Sequence, residues 1–337
     1  MVAIMFGIAA AGANGKFPAL FAFGDSILDT GNNNNLRTLT KSNFPPNGRN
    51  FIGGQPTGRF SDGKVLSDVI AAALGIKDTL PPYLDPKLRN EELSTGVCFA
   101  SAGSGKDDLT SDMQGVLRQW AQLQNFKEYI TRLKAVVGEE RANNITSNAL
   151  YLISAGNNDI AITYSSTIKR NIPFPLYASQ LVASASHFIK QLYEIGARKV
   201  WVLSTLPLGC LPGGRTAGGG PLRLCADIAN GQAQLFNARL ASAVTSLQRT
   251  LPASSLQFLD VYTPLLNTIQ NPSTAGFSNV ANGCCGRGQT EMATTCTLLV
   301  GSCPNPKSYV FWDAGHPTRR AYEVIAEAIL SNTTYLR

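Results

Sequence analysis

Residues Ala19-Leu20-Phe21-Ala22-Phe23-Gly24-Asp25-Ser26 join an uninterrupted apolar run to a short polar turn. A short apolar run that ends at a glycine is typical of a strand buried on both faces. A serine that directly follows such a strand is well placed to expose its hydroxyl as a nucleophile, and Gly24 permits a tight backbone there. Taken alone, Gly-Asp-Ser is equally a turn or a helix N-cap.

Short apolar runs alternate with amphipathic stretches along the rest of the chain. The further predicted strands are Gly96 to Ser101, Ala149 to Ser154, Lys199 to Leu206 and Leu256 to Tyr262. The predicted helices are Val65–Leu74, Leu117–Val137, Tyr177–Ile195, Cys225–Leu251 and Thr318–Leu330. This alternation implies βαβ units around a parallel sheet. No composition break or repeat divides the chain, so we expect a single domain over residues 16–337, with ligands bound beyond the carboxyl ends of the strands.

Composition and charge exclude several classes of protein. Of the 337 residues, 44% are apolar and 15% are charged, which argues against a disordered chain or a coiled coil. The formal net charge is +7, but the basic residues are scattered, so nucleic-acid binding is not predicted. An acidic wall polysaccharide could be a partner, or the charge could simply keep the protein soluble. The chain has two histidines and no Cys-x-x-Cys pair, so we expect no metal site.

The N-terminus and the cysteines indicate secretion. Residues 1–15 contain an apolar run followed by small residues, as in a signal peptide, although a basic n-region is lacking. An N-terminal strand or a membrane anchor is the alternative, but the run is shorter than the ~20 residues of a membrane span and no later segment is long enough. We therefore expect an extracellular, apoplastic protein without stable membrane insertion. Two glycosylation sequons occur, at Asn144 and Asn332.

Six of the seven cysteines lie in stretches that look like loops. They could form three disulfides in an oxidising compartment, with the pairing left open by the sequence. Cys98 lies in an apolar run and is expected to be a buried free thiol. The loop cysteines are Cys210, Cys225, Cys284, Cys285, Cys296 and Cys303.

A nucleophilic serine needs a base, and two histidines are available. His187 lies within a helical pattern and is expected to be structural. His316 lies in Phe-Trp-Asp-Ala-Gly-His-Pro-Thr, residues 311–318, three residues after Asp313. That spacing can place the Asp313 carboxylate beside the imidazole, where it would orient the base and stabilise the imidazolium. The alternative is that Asp313 caps the following helix.

Acyl transfer also needs donors for the developing oxyanion. Ala100 to Gly105 follows the second predicted strand, and its glycines allow backbone N–H groups to approach a substrate. Gly156 to Asp159 follows the third, where an asparagine side chain can donate. Neither segment continues into a phosphate-binding motif.

Together and in this order, these pieces resemble the GDSL lipase/esterase family, also called SGNH hydrolases, and in particular its plant extracellular branch. The blocks that carry the resemblance are Phe23 to Asn34, Phe99 to Gly105, Gly156 to Asp159 and Asp313 to His316. Further stretches similar to the plant branch are Gly54 to Gly63, Leu80 to Leu84, Leu206 to Cys210 and Gly283 to Gly286. The resemblance covers about residues 17–331. Ile27 replaces the leucine of the family name, a volume-conserving change.

The resemblance implies a three-layer α/β/α, flavodoxin-like fold with a five-stranded parallel sheet. It makes Ser26 the nucleophile and His316 the general base, with Asp313 orienting His316. The N–H groups of Ser26 and Gly103 and the side chain of Asn158 would form the oxyanion hole. No metal or organic cofactor is implied.

The sequence therefore predicts a secreted carboxylic ester hydrolase that works through an acyl-enzyme. An acyltransferase that uses the same serine, and a secreted binding protein without turnover, are the alternatives. The substrate could be an acyl lipid, an acetylated polysaccharide or a small acyl ester. The aromatic side chains of Phe23, Tyr83 and Trp312 either line the cleft or pack in the core.

Overall fold

Four parallel strands form the main sheet, in the spatial order β1-β2-β3-β4. The computed structural model describes residues 16–154, 156–331 and 333, so the predicted signal peptide and the sequon at Asn332 lie outside the described residues. In register, Leu20 pairs with Leu150, Leu150 with Lys199, and Lys199 with Ser255. The strands are β1 (Leu20–Gly24), β2 (Leu150–Ser154), β3 (Lys199–Leu203) and β4 (Ser255–Leu259).

The predicted strand at Gly96 to Ser101 is not a regular strand, so the main sheet has four strands instead of five. Cys98 forms isolated parallel bridges with Ala22 of β1 and with Pro82. The segment runs beside β1, but the N–H groups of Phe99 and Ala100 both donate to the carbonyl oxygen of Ala22. Because both N–H groups share one acceptor, the hydrogen bonds are not evenly spaced as they are between regular parallel strands.

Helices cover both faces of the sheet, which confirms the predicted three-layer α/β arrangement. All residues of β1 and β2 are buried, as expected for strands covered on both sides. On one face, Phe21 packs against Phe126 of α3 and Phe23 against Phe188 of α5, and α7 packs against α5 and β4. Helices α1, α8 and α9 pack together as the second layer. The helices of the described residues are α1 (Leu66–Ala73), α2 (Asp108–Gln114), α3 (Gln119–Val137), α4 (Glu139–Asn148), α5 (Phe174–Glu194), α6 (Pro212–Gly218), α7 (Asp227–Thr250), α8 (Tyr262–Gln270) and α9 (Arg319–Ser331).

All five predicted helices are present, with ends shifted by at most three residues. Helices α2, α4, α6 and α8 were not among the predictions. Helix α4 is mostly polar and α6 contains three glycines, so neither shows the apolar periodicity that marks an amphipathic helix.

A second, two-stranded parallel sheet holds the C-terminal part of the chain. It consists of β5 (Asn279–Gly283) and β6 (Tyr309–Phe311). The structure resolves the open cysteine pairing as Cys210–Cys225, Cys284–Cys303 and Cys285–Cys296. Cys98 is a buried free thiol, as predicted.

Within the described ranges, no helix combines the length and the apolar character that crossing a membrane requires. In the same residues, no group of three His, Cys, Asp or Glu side chains is arranged to bind a metal ion.

Candidate active site

Ser26 lies in the turn that leaves the carboxyl end of β1. Gly24 has φ +123°, and a Cβ there would lie 1.5 Å from the carbonyl oxygen of Ser154, so a side chain at this position is excluded. Gln122 of α3 binds both backbone groups of Gly24, at 2.8 Å for the N–H and 2.9 Å for the carbonyl. These two hydrogen bonds fix the end of the strand that precedes Ser26.

The Asp25 carboxylate anchors this turn to the neighbouring strand and loop. It accepts hydrogen bonds from Ser154 Oγ at 3.0 Å, Asn157 Nδ2 at 2.9 Å and the Ile27 N–H at 3.2 Å. Asn157 Oδ1 in turn accepts the Leu206 N–H at 3.0 Å. Burial raises the pKa of Asp25, and these three donors partly offset that effect by favouring the carboxylate.

His316 lies between Ser26 and Asp313. Its Nε2 is 2.8 Å from Ser26 Oγ, and its Nδ1 is 2.8 and 2.9 Å from the two Asp313 carboxylate oxygens. Asp313 Oδ1 also accepts the N–H groups of Gly315 and His316, both at 2.8 Å. The imidazole packs against the ring of Phe60, with 4.7 Å between ring centroids. This geometry can pass the serine proton to an imidazole that a buried carboxylate orients.

The helix-cap alternative for Asp313 finds no support in these contacts. Helix α9 begins at Arg319, whose N–H donates to Asp62 Oδ1 at 2.7 Å, and Thr318 Oγ1 accepts the N–H of Ala321. His187 lies on α5 with an exposed side chain, which lines a separate surface cavity.

Three residues that carry the predicted oxyanion donors, Ser26, Gly103 and Asn158, line the same cavity as His316. The predicted donors are the N–H groups of Ser26 and Gly103 and the side-chain amide of Asn158. Neither backbone N–H donates to another described residue. Asn158 Nδ2 donates one hydrogen to the Ser104 carbonyl at 2.9 Å, which leaves its second hydrogen for a ligand. The Gly105 N–H instead faces Ser111 Oγ at 3.4 Å, so the geometry favours Gly103 as the donor.

The asparagine run after the nucleophile turn tethers the Gly103 loop, a role that the sequence analysis missed. Asn32 Nδ2 donates to the Ala100 carbonyl at 2.7 Å, and Asn33 Nδ2 donates to the Ala102 carbonyl at 2.9 Å. Asp29 Oδ2 accepts the Ala102 N–H at 2.8 Å. Burial raises the pKa of Asp29 to about 6. The signal available in the sequence was the run of four asparagines from Asn32 to Asn35, since asparagine side chains often bond to nearby backbone groups.

Asp159 ties the Asn158 loop to the residues that follow Gly103. Its carboxylate accepts the N–H groups of Lys106 at 2.8 Å and Asp107 at 2.9 Å, and the Thr110 hydroxyl at 2.7 Å. The pKa of this carboxyl group is raised by burial. Asp159 also begins a π-helix, Asp159–Tyr164, a rare element that is often found at functional sites.

The cavity around Ser26 and His316 has a volume of about 930 Å³ and is predominantly apolar. This volume lies at the upper end of the range for small-molecule sites. One wall is glycine-rich and comes from α6, and the others carry aliphatic side chains. The aliphatic residues of the lining include Ile160, Leu206, Leu208 and Leu211.

The sequence left open whether Phe23, Tyr83 and Trp312 line the cleft or pack in the core. In the structure they pack in the core. Phe23 and Tyr83 pack against Phe99, with ring centroids 5.1 and 5.0 Å apart. Trp312 is fully buried and donates its Nε1–H to Asn47 Oδ1 at 2.8 Å. The aromatic residues that line the cavity are Phe60 and Tyr164.

The chain is similar to known proteins over nearly its whole length. Residues 20–329 match the family of GDSL-like lipases/acylhydrolases. Two Arabidopsis thaliana proteins, each named as a GDSL esterase/lipase, are 50% identical to it over 322 and 313 residues. These alignments cover 95% and 93% of this chain and 90% and 88% of the relatives. An extracellular lipase from Streptomyces rimosus superposes with a TM-score of 0.42 and 15% identity, covering 92% of this chain and 99% of that one. The chain therefore belongs to the family of GDSL-like lipases/acylhydrolases.

Proposed function

We propose that Ser26, His316 and Asp313 form the catalytic triad of this protein. Family membership makes the protein a carboxylic ester hydrolase. The observation that carries the assignment of residues is the continuous chain of contacts from Ser26 Oγ through the imidazole to the Asp313 carboxylate, with each contact at 2.8 Å.

In the proposed reaction, Ser26 Oγ attacks the ester carbonyl carbon while His316 Nε2 takes the hydroxyl proton. Asp313 holds Nδ1 and stabilises the imidazolium that forms. The tetrahedral intermediate collapses, the C–O bond to the alcohol breaks, and the alcohol leaves with the proton from His316. Water then attacks the acyl-enzyme, again giving a proton to His316, and the acid leaves as Ser26 regains its hydrogen.

The oxyanion of both tetrahedral intermediates would lie against Ser26 N–H, Gly103 N–H and Asn158 Nδ2. The support is that Ser26, Gly103 and Asn158 all line one cavity, and that each of the three groups has a hydrogen without a partner among the described residues. Because Asn158 is fixed through its bond to Ser104, it needs little reorganisation as charge develops on the substrate.

The test is labelling of the folded protein with a fluorophosphonate, which reacts with an activated serine. We expect labelling and ester turnover in the native protein and loss of both in Ser26→Ala and His316→Ala. His187→Ala is the matched control and should retain both. Full turnover in Ser26→Ala would contradict the assignment. Product analysis with and without an alcohol acceptor then separates hydrolysis from acyl transfer.

We also propose that the protein is secreted to the extracellular space after removal of residues 1–15. Three disulfides support an oxidising compartment, and the Asn144 side chain is exposed on α4, where a glycan could be attached. Expression in plant cells should place the protein in the culture medium with a new N-terminus near Lys16. Retention inside the cells with Met1 intact would contradict this proposal.

A further inference from the structure

A fully buried glutamine, Gln122, lies on the core-facing side of α3, which it shares with Phe126 and Tyr129. A buried polar side chain destabilises the fold unless it is hydrogen-bonded, and Gln122 uses its whole amide group. Its Oε1 accepts the Gly24 N–H at 2.8 Å, and its Nε2 donates to the Gly24 carbonyl at 2.9 Å and to Ser104 Oγ at 3.1 Å. Because Gly24 offers both a donor and an acceptor, these bonds fix the orientation of the amide.

At Gly24, the Gln122 amide takes the place of a strand residue on the edge of β1. The Gly24 carbonyl also accepts the Ser101 N–H at 2.9 Å, which is the last contact of the neighbouring segment before it turns into the Gly103 loop. The Gly24 N–H has the Gln122 side chain as its acceptor instead of a backbone carbonyl. A side-chain amide offers the same C=O and N–H groups as a peptide unit. Gln122 therefore holds the backbone two residues before Ser26.

At the other end, Gln122 contacts the loop that carries a second proposed oxyanion donor. Ser104 directly follows Gly103 and is buried. Its hydroxyl accepts the bond from Gln122, and its carbonyl accepts the Asn158 Nδ2 bond at 2.9 Å. Ser104 thereby connects Gln122 with the third proposed donor. One side chain thus joins the turn and the two loops that carry all three donors.

We propose that Gln122 is a positioning residue that sets the separation of the three oxyanion donors. It lies outside the described lining of the cavity, so it acts through the two residues that it binds. The inference rests on the proposed roles of Ser26, Gly103 and Asn158. Oxyanion donors stabilise the transition state only when they are held in place before charge develops. Loss of Gln122 should therefore weaken transition-state binding and leave substrate binding nearly unchanged.

The first test is Gln122→Met, which keeps the length of the side chain and removes the three hydrogen bonds. We expect kcat on a short soluble ester to fall roughly 10²-fold, as for a misplacement of about 1 Å, while KM changes little. The matched control is Gln119→Met, one turn earlier on the same helix. Gln119 is also buried, but its Nε2 has no hydrogen-bond partner among the described residues, so this variant should keep the native kcat.

A second measurement separates positioning from simple support of the fold. Butylboronic acid forms a tetrahedral adduct with an activated serine and places an oxygen where the oxyanion would lie. Its affinity should fall in Gln122→Met by about the same factor as kcat, because both depend on the donors. The double variant Gln122→Met with Asn158→Ala should lose less kcat than the product of the two single losses, since both changes act on one group of donors. Losses that multiply would contradict the proposal.

Thermal melts accompany the kinetics, because removal of Gln122 leaves the buried groups of Gly24 without this partner. A lower melting temperature with native kcat and native boronic acid affinity would overturn the proposal and make Gln122 a structural residue only. If Gln122→Met does not fold, Ser104→Ala decides, since it removes one of the three bonds and keeps the carbonyl that holds Asn158. This variant should lower kcat several-fold with little change in KM, and a native kcat would overturn the proposal.

The positioning role and the proposed catalytic function fail in different ways. Absence of fluorophosphonate labelling at Ser26 in the folded native protein would overturn the triad. Full kcat in Gln122→Met, in a protein whose Ser26 is labelled, would overturn the role of Gln122 alone.

Discussion

Two neighbouring asparagines in the loop after β2 have different surroundings. Asn157 is buried at the edge of the cavity, and its amide joins Asp25 to the Leu206 N–H. Asn158 lines the cavity and keeps one amide hydrogen for a ligand. Adjacent residues of the same type thus separate support of the nucleophile turn from the proposed stabilisation of the oxyanion.

Replacing Asn158 with alanine should lower kcat by roughly 10²–10³-fold, because one of the proposed oxyanion donors is lost. KM should change little, since the interaction is strongest in the transition state. The measurement is steady-state kinetics on a short soluble ester, with a thermal melt to show that the fold persists. The matched variant Asn157→Ala should mainly reduce thermal stability, because it leaves the buried Asp25 with one donor fewer. Unchanged kcat in Asn158→Ala would remove this residue from the oxyanion hole.

The charged ammonium group of Lys106 is buried, and its burial destabilises the folded state. Its side chain is 6% exposed, its Nζ has no hydrogen-bond partner among the described residues, and the ammonium lies 5.3 Å from the ring centroid of Phe188. Burial lowers the pKa of Lys106 to about 8, although the nearby carboxylates of Asp159 and Asp25 act in the opposite direction. The unfolded state therefore binds the proton more tightly than the folded state does, and charging Lys106 destabilises the fold below about pH 8.

Lys106→Met should therefore raise the free energy of unfolding at pH 7, by at most about 3 kcal/mol. The advantage over the native protein should shrink as the pH rises from about 8 toward 10, because the native lysine becomes neutral in that interval. Thermal or urea unfolding of both proteins across this range measures the difference. A variant that is less stable at pH 7 would show that attraction to Asp159 and Asp25 outweighs burial.

At the scale of elements, α6 forms one wall of the cavity. Gly213, Gly214 and Gly218 line it together with Ala217, so this wall consists largely of backbone. The Cβ that would be added at Gly214 points at the Leu208 carbonyl oxygen, 2.0 Å away, so this glycine is required by packing. Ala217 is exposed at the cavity and is the position where added volume would enter it.

Ala217→Phe should reduce kcat/KM for long-chain esters about tenfold or more relative to short ones, because the ring fills space that a long acyl chain needs. A series of nitrophenyl esters of increasing chain length measures the change in preference. Ala217→Ser adds little volume and serves as the control with an unchanged profile. An equal loss for short and long esters would indicate that the acyl chain lies elsewhere.

At the scale of the whole molecule, the site joins the two ends of the chain. Ser26 and His316 are 290 residues apart, and the segment that carries Asp313 and His316 follows β6. Two disulfides with sequence separations of 11 and 19 residues close the loops between β5 and β6. The Cys285 N–H also donates to the Trp312 carbonyl at 2.7 Å, which ties this region to the residue before Asp313.

Removal of the Cys285–Cys296 disulfide by paired serine substitution should cost about 3 kcal/mol of stability, given the length of the loop that it closes. Activity should decline at a lower temperature than in the native protein, because the Asp313 segment loses its support. Thermal melts and residual activity after heating provide the two readouts. Cys98→Ala, which removes the free thiol, is the control that should keep a near-native thermal profile. Identical stability with and without the disulfide would contradict a role for this cross-link.

Local patterns in the sequence were sufficient to predict the class of fold and the chemical groups of the site. The four strands of the main sheet and five of the helices follow from runs and periodicities of a few residues. The same holds for Asp313 and His316, whose spacing of three residues already allows the observed contact. Each of these features depends on neighbours in the chain.

Only the tertiary structure determined the features that depend on contacts between residues far apart in the sequence. The irregular pairing of Gly96 to Ser101 with β1, the disulfide pairing and the contact between Ser26 and His316 all arise from packing between distant segments. The apolar cavity also belongs to this group, because segments from several parts of the chain form its walls. The physical reason is that burial and hydrogen bonding between distant segments select one arrangement among many that local propensity allows equally.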